Sequence, residues 1–438
     1  MSFDGFDSPE VKRFQRKVTL LSAGGTFLDG FDLTIIAVAL PMLIKQWNLG
    51  GGTQSLLVSS AIIGSFIGAA WLGRLTDRFG RKAMYVVDLM AFVVFAIATA
   101  ASQDVWQLIA FRFLLGVGIG ADYPISATLV AEFSSRHHRG RHGTFLAAMW
   151  FVGAFAAYLV GLACLPLGDN AWRVMFLVGA VFALVVFFFR ITLPESPRWL
   201  MSRGRVDEAQ AIMRQVTGTD VVMTGGQGKT VALGELFAPR LKRRTIFVFC
   251  FWFCYATAYY GIAMYTPTLI SPFAQGSHAW TLVGSGIVAM LGLIGSLVGM
   301  QLVDRWGRRP LLITSFSGLT AALVVLALNA HPGFVFLVVL FSCAVLFANA
   351  GGGILNFVYP TELFPTDIRA GATGLATAVS RVGSILGVLV FPNFIAWWGN
   401  AAALWFFALI GLLGLTVTVL LAPETRGTKL EDIEAGKV

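Results

Sequence analysis

The chain has 438 residues, 57% of them apolar and 13% charged, with a formal net charge of +9. A soluble domain carries roughly 25% charged residues, so an ordinary globular domain is excluded. The positive excess does not mark a nucleic-acid binder either, because it is concentrated in particular segments between greasy ones.

Apolar runs of about 20 residues recur along the whole length, each long enough to cross a bilayer as a helix. Twelve are predicted, at approximately 20–43, 55–75, 82–101, 106–131, 144–166, 172–191, 245–270, 281–303, 310–330, 333–358, 371–396 and 401–421. With both termini placed in the cytoplasm, 28 of the 32 Lys and Arg fall on cytoplasmic segments. Lys45 and Arg173 fall outside, and Arg112 and Arg381 fall within spans. This positive-inside bias sets the orientation of a multi-pass plasma-membrane protein, with a bacterial inner membrane as the expected location.

The first span carries Asp29 and Asp32, three residues apart and so roughly on one helix face. An ionisable side chain in the hydrocarbon zone costs several kcal/mol by most estimates, so it is normally paired or functional. Between the second and third spans lies GRLTDRFGRK (73–82), with Asp77, Arg78, Gly80 and Arg81. The fourth span holds Arg112 near its outer end and Asp122 near its middle, and Glu132 precedes Arg139 by seven residues at its inner end. The fifth span carries Trp150, and PESPRW, with Glu195, follows the sixth.

The longest polar stretch, about Pro194 to Arg244, is too short for a catalytic domain. It contains an amphipathic piece at Val206–Val216, a Gly/Thr-rich stretch near Thr224–Thr230 and the basic run Arg240–Arg244. Residues 194–244 are therefore expected to be a cytoplasmic linker on the membrane surface, joining six-helix bundles at 1–193 and 245–438.

The seventh span carries Tyr255, Tyr259 and Tyr260 beside Gly261. These aromatics, with Trp150, combine an apolar body and a polar tip, which suits a cavity wall. After the eighth span comes VDRWGRRP (303–310), with Asp304, Arg305 and Arg308. The tenth span holds Asn349 and Asn356 around three consecutive glycines (351–353), and Glu362 precedes Arg369 by seven residues. Arg381 lies 12 residues beyond Arg369, hence about 18 Å deep at 1.5 Å per residue and near the midplane. PETRG, with Glu424, follows the twelfth span.

These motifs form a repeat. Asp77 and Asp304 are 227 positions apart, Glu132 and Glu362 are 230 apart, and Pro194 and Pro423 are 229 apart. Two similar halves with charged motifs at matching cytoplasmic helix ends point to a secondary transporter. Acids and arginines at such ends can form charge-assisted hydrogen bonds that break when the inner face opens, biasing a two-state gate.

Other classes find no support. Cys164, Cys250, Cys254 and Cys343 all lie inside spans, with neither metal nor redox spacing. The five histidines lie in loops or at helix ends and make no metal constellation. No glycine-rich phosphate loop or nucleophile motif is present, so neither ATP-driven transport nor an enzyme is expected, and no cofactor or metal. A membrane sensor that binds ligand without transport has little room for a signalling module.

GRLTDRFGRK, the Arg139–Gly140 pair, ESPRWL (195–200), YPTELFPTDIRA (359–370) and PETRG together resemble the major facilitator superfamily, in its sugar-porter-like branch. The resemblance covers essentially the whole chain. It implies an all-α membrane fold of twelve helices in two pseudo-symmetric six-helix bundles, a central cavity, alternating access, proton coupling and a monomer in the bilayer. Within that branch the fifth and seventh spans lack the glutamines of classical sugar porters. GVGIGADYPISATLVAE (116–132) is similar to phosphate–proton symporters, but Ala256 stands where those carry an acid. The YYG segment and SRVGSIL (380–386) look more like organic-ion and nicotinate-type carriers.

Asp32 resembles the first-span aspartate that proton-coupled porters pair with a fourth-span arginine, here Arg112. A changing distance within such a pair changes proton affinity, and Asp29 and Asp122 are alternative coupling groups. Arg381 can hold a carboxylate or phosphate through two parallel hydrogen bonds. Arg381, Trp150, Tyr255, Tyr259, Tyr260, Asn349 and Asn356 are thus the candidate substrate site. The gate set is Asp77, Arg78, Gly80, Arg81, Glu132, Arg139, Glu195, Asp304, Arg305, Arg308, Glu362, Arg369 and Glu424. The leading expectation is proton-coupled symport of a small organic acid. The alternatives are a neutral sugar or polyol symporter and a phosphate-type anion carrier.

Overall fold

The structure is a computed structural model describing residues 9–133, 139–217, 233–329, 332–365 and 368–427. Its long helices are α1 (Pro9–Trp47), α2 (Gly51–Phe79), α3 (Arg81–Ala101), α4 (Val105–Phe133), α5 (Arg139–Cys164) and α6 (Ala171–Arg190). Two short helices follow, α7 (Pro197–Ser202) and α8 (Val206–Thr217). Next come α9 (Pro239–Ala263), α10 (Thr266–Ile270), α11 (His278–Trp306), α12 (Arg308–Leu328), α13 (Phe334–Ala348), α14 (Ile354–Leu363) and α15 (Arg369–Leu421).

Among the described residues, nine stretches are long and apolar enough to cross a membrane. Two of them, Thr144–Arg190 and Gly371–Leu421, each hold two spans, and Val105–Gly120 is a further, shorter apolar helix. The twelve expected spans are all accounted for. The last two run on as one helical stretch broken only at Gly399, whose φ of 81° interrupts the helix.

Helix pairing repeats along the chain. In the first half α1 packs on α5, α2 on α4 and α3 on α6. In the second half the first part of α15 packs on α9, α13 on α11, and the last part of α15 on α12. The fold is therefore two similar six-helix bundles. The halves meet along α2–α15, α5–α11 and α1–α10.

The turns between spans fall at two ends. The end holding Gly80, Gly307 and α7–α8 is called here the basic end, and the other the far end. The halves touch at the far end, where Ser55 Oγ donates to the Leu389 carbonyl at 3.3 Å and Asn393 Nδ2 reaches Ser55 Oγ at 3.5 Å. Gly161 faces Val38 and Leu282 at the same level.

The amphipathic piece in the polar stretch forms α8, whose Met213 and Val216 pack with Val11, Val18 and Tyr85 at the basic end. The Gly/Thr-rich stretch beyond it lies outside the described residues.

Candidate functional site

At the basic end the repeated motifs build the same device twice. Gly80 and Gly307 adopt φ of 103° and 97°, a left-handed turn that favours glycine, and a Cβ at either would meet a glutamate carboxylate. Each turn starts a helix whose first N–H groups lack intrahelical partners. Glu195 accepts from the backbone N–H of Arg81 and Lys82 at 3.0 and 3.1 Å. Glu424 accepts from those of Arg308 and Arg309, both at 3.0 Å. An anion there also complements the positive end of the helix dipole.

Around these caps, Arg81 donates to Ser196 Oγ at 3.0 Å, and Arg308 grips Glu362 at 2.8 and 3.2 Å and Asp304 at 3.2 Å. Each of these contacts joins elements of one half. Arg78 is exposed, with its guanidinium 5.5 Å from the Phe79 ring centre and its carbonyl accepting from Arg203 at 3.3 Å, and Arg305 is exposed. The side chains of Asp77, Glu132, Arg139 and Arg369 lie outside the described residues.

Deeper in the first half two ion pairs are buried. Arg112 donates to Asp32 Oδ1 and to the Asp32 carbonyl, both at 3.1 Å, with its guanidinium 5.4 Å from the Phe176 ring centre. The resemblance anticipated this pairing. Asp32 Oδ2 and Arg112 Nε are buried with no partner, so the pair closes through only part of its hydrogen-bonding capacity.

The second pair, Asp122 with Arg190, was not foreseen. Arg190 donates two parallel bonds to the carboxylate and a third to the Leu21 carbonyl, and stacks 3.7 Å from the Tyr85 ring centre. As the last residue of a greasy run, Arg190 read as a cytoplasmic flanking charge, but packing leaves it 1% exposed. Asp88 of α3 is buried as well, with its Oδ1 unpartnered.

Between the halves lies a cavity of about 90 Å³. Most of the candidate substrate residues converge on it: Trp150, Tyr255, Tyr259, Tyr260, Asn356 and Arg381, together with Asp29. Trp150 of α5 meets Tyr259 and Tyr260 of α9 edge to face at 5.9 Å, so the wall joins the halves. Tyr255 stacks on Tyr259 at 5.5 Å.

Asn349 differs from expectation. It stands behind the wall and accepts from the Tyr255 hydroxyl at 2.9 Å, holding that ring in place. Asn349 to Gly353 form one π-helical turn, a widening that breaks the regular ladder. Ser315 repairs it by accepting from the Gly352 N–H at 3.1 Å and donating to the Ala348 carbonyl at 3.3 Å. The triple glycine suits this site because a Cβ on Gly352 would enter the Tyr255 ring.

Arg381 donates to the Tyr260 hydroxyl at 3.4 Å and, among the described residues, forms no ion pair. The acid Asp122, inside the first half, is held by Arg190. Sequence reading missed Trp252, Thr26, Thr377, Ser380 and Ser384 on the wall. Trp252 lies one helical turn before the marked aromatics, and that spacing was the available signal.

Residues 17–436 match the family described as "Sugar (and other) transporter". The chain is 36% identical to YaaU of Escherichia coli (strain K12), over 97% of this chain and 96% of that one. It is 32% identical to the niacin transporter NiaP of Acinetobacter baylyi, over 93% and 94%. Its fold matches the inward-open conformation of the xylose transporter XylE from E. coli with a TM-score of 0.77 and 25% identity, covering 96% of this chain and 99% of that one.

Proposed function

The chain belongs to the sugar (and other) transporter family, a multi-pass membrane transporter of the major facilitator fold, and on that premise we propose that it imports a small organic acid by proton-coupled symport. The observation that carries this reading is Arg381. A guanidinium on a cavity wall, with no carboxylate bound to it among the described residues, has the fork geometry for a carboxylate ligand. Niacin, which the relative NiaP is named for, is such an acid.

Coupling is assigned to Asp32 and Arg112, with Asp122 held by Arg190 as a second, more closed pair. The free Oδ2 of Asp32 can take a proton, which would release Arg112 and change how α1 and α4 pack. The domain division is read as bundles at 1–193 and 245–438 joined by the linker at 194–244. The contacts at the far end and the likeness to an inward-open structure support an inward-facing state, with termini in the cytoplasm and the chain in a bacterial inner membrane. The paired caps at Glu195 and Glu424 then hold each half rigid while the halves rock against each other.

A neutral sugar or polyol is the second reading, favoured by Asn356, Thr377, Ser380 and Ser384 on the same wall. Uptake into proteoliposomes with an imposed pH gradient separates the two. Nicotinate accumulation should follow the gradient and vanish in Arg381→Ala. Asp32→Asn should lose accumulation while still exchanging substrate in counterflow. Xylose uptake that survives Arg381→Ala, with no nicotinate uptake, would overturn the acid reading.

A further inference from the structure

We infer that the substrate is a zwitterion whose cationic end is held by Asp29 while its carboxylate end is held by Arg381. This rests on the reading of Arg381 as the carboxylate site and extends it to a second charged residue of the same cavity.

Asp29 lines the same cavity as Arg381. Its side chain sits in a residue only 6% exposed, yet among the described residues it makes no hydrogen bond and no ion pair. The other buried charges do not supply a partner. Arg112 is closed on Asp32, and Arg190 is closed on Asp122. What remains on the wall is one carboxylate and one guanidinium that do not bond to each other. A buried ionised group without a partner is costly, so a ligand that meets both is favoured over one that meets either alone.

The lining between them has the matching chemistry. Trp150, Trp252, Tyr255, Tyr259 and Tyr260 line the cavity. Aromatic faces attract cations, most strongly those such as quaternary or pyridinium nitrogen that carry little hydration. A volume of about 90 Å³ admits only a small ligand. The class that fits is a compact ammonium or pyridinium carboxylate of zero net charge.

The test is isothermal titration of the purified full-length protein in detergent at neutral pH with three probes of similar size. These are N-methylpyridinium-3-carboxylate (a permanent zwitterion), benzoate (anion only) and N-methylpyridinium (cation only). The zwitterion should bind about tenfold tighter than benzoate, and the cation weakest. In Asp29→Asn that ratio should fall to near one. A wild-type protein that binds benzoate as tightly as the zwitterion overturns the inference, and this arm decides even if the variant does not fold. So does an Asp29→Asn protein that keeps the tenfold ratio. Arg381→Ala tests the underlying reading separately: it should lose the zwitterion and benzoate alike. Unchanged benzoate binding there would remove the acid reading itself, whatever Asp29 does.

Discussion

The two halves pack their helices alike but use their buried polar groups in opposite ways. The first half closes two of its buried acids on arginines, Asp32 on Arg112 and Asp122 on Arg190, away from the cavity lining, and leaves Asp29 on that lining. The second half contributes aromatic rings, Asn356 and Arg381, whose guanidinium, among the described residues, hydrogen-bonds the Tyr260 hydroxyl and forms no ion pair. At the basic end this asymmetry disappears, and Glu195 and Glu424 cap α3 and α12 with nearly equal geometry. The two halves thus share the device that stiffens each bundle, while in the membrane interior the first half holds the two closed ion pairs and the second holds most of the aromatic and polar cavity wall.

The largest expected effect tests whether the first-half pairs are structural. Arg190→Ala leaves Asp122 buried without its partner and should cost about 3–5 kcal/mol, read as a large fall in the thermal midpoint of the detergent-purified protein. Replacing both partners, Asp122→Asn with Arg190→Met, should cost less than the single change. The contrast with the second half comes next. Arg381→Ala should leave the midpoint near wild type but weaken carboxylate binding by about 1.5–3 kcal/mol, measured by titration calorimetry. An equal loss of stability in the two variants would break the comparison.

Smaller effects sharpen it. Ser315→Ala removes the hydroxyl that bridges the π-turn and should destabilise by about 1 kcal/mol in thermal unfolding. It should also loosen the Tyr255 wall, so ligand affinity should fall with it. Smallest are the caps: Glu195→Gln and Glu424→Gln should each cost about 0.3–1 kcal/mol. Their thermal shifts should agree with one another, because each carboxylate accepts from two N–H groups at a helix start. Unequal shifts would show that the basic end is not equivalent in the two halves.

Much of this was legible in the chain. Span length and composition are local properties, so the twelve crossings follow from runs of apolar residues. The charged repeat, at offsets of 227 to 230, matches Gly80 with Gly307 and Glu195 with Glu424 from the residues alone. Asp32 with Arg112 was anticipated only through the family resemblance, since nothing in their spacing across 80 positions requires contact. Arg190 escaped because a cation closing an apolar run is usually a solvated flank. Its burial depends on α6 bringing it beneath Tyr85 and beside Asp122.

The sequence by itself determined the membrane environment, the number of crossings and the two-fold repeat, because hydrophobic transfer and helix rise act residue by residue along the chain. Which charges pair, that Asn349 buttresses Tyr255 instead of facing the cavity, and that Asp29 and Arg381 share one wall without bonding depended on helix packing. Those facts turn on the rotation of each helix about its axis and on contacts between residues tens to hundreds of positions apart. A shift of one residue turns a helical side chain by about 100°, from a cavity to lipid, and only the packed assembly selects among such faces.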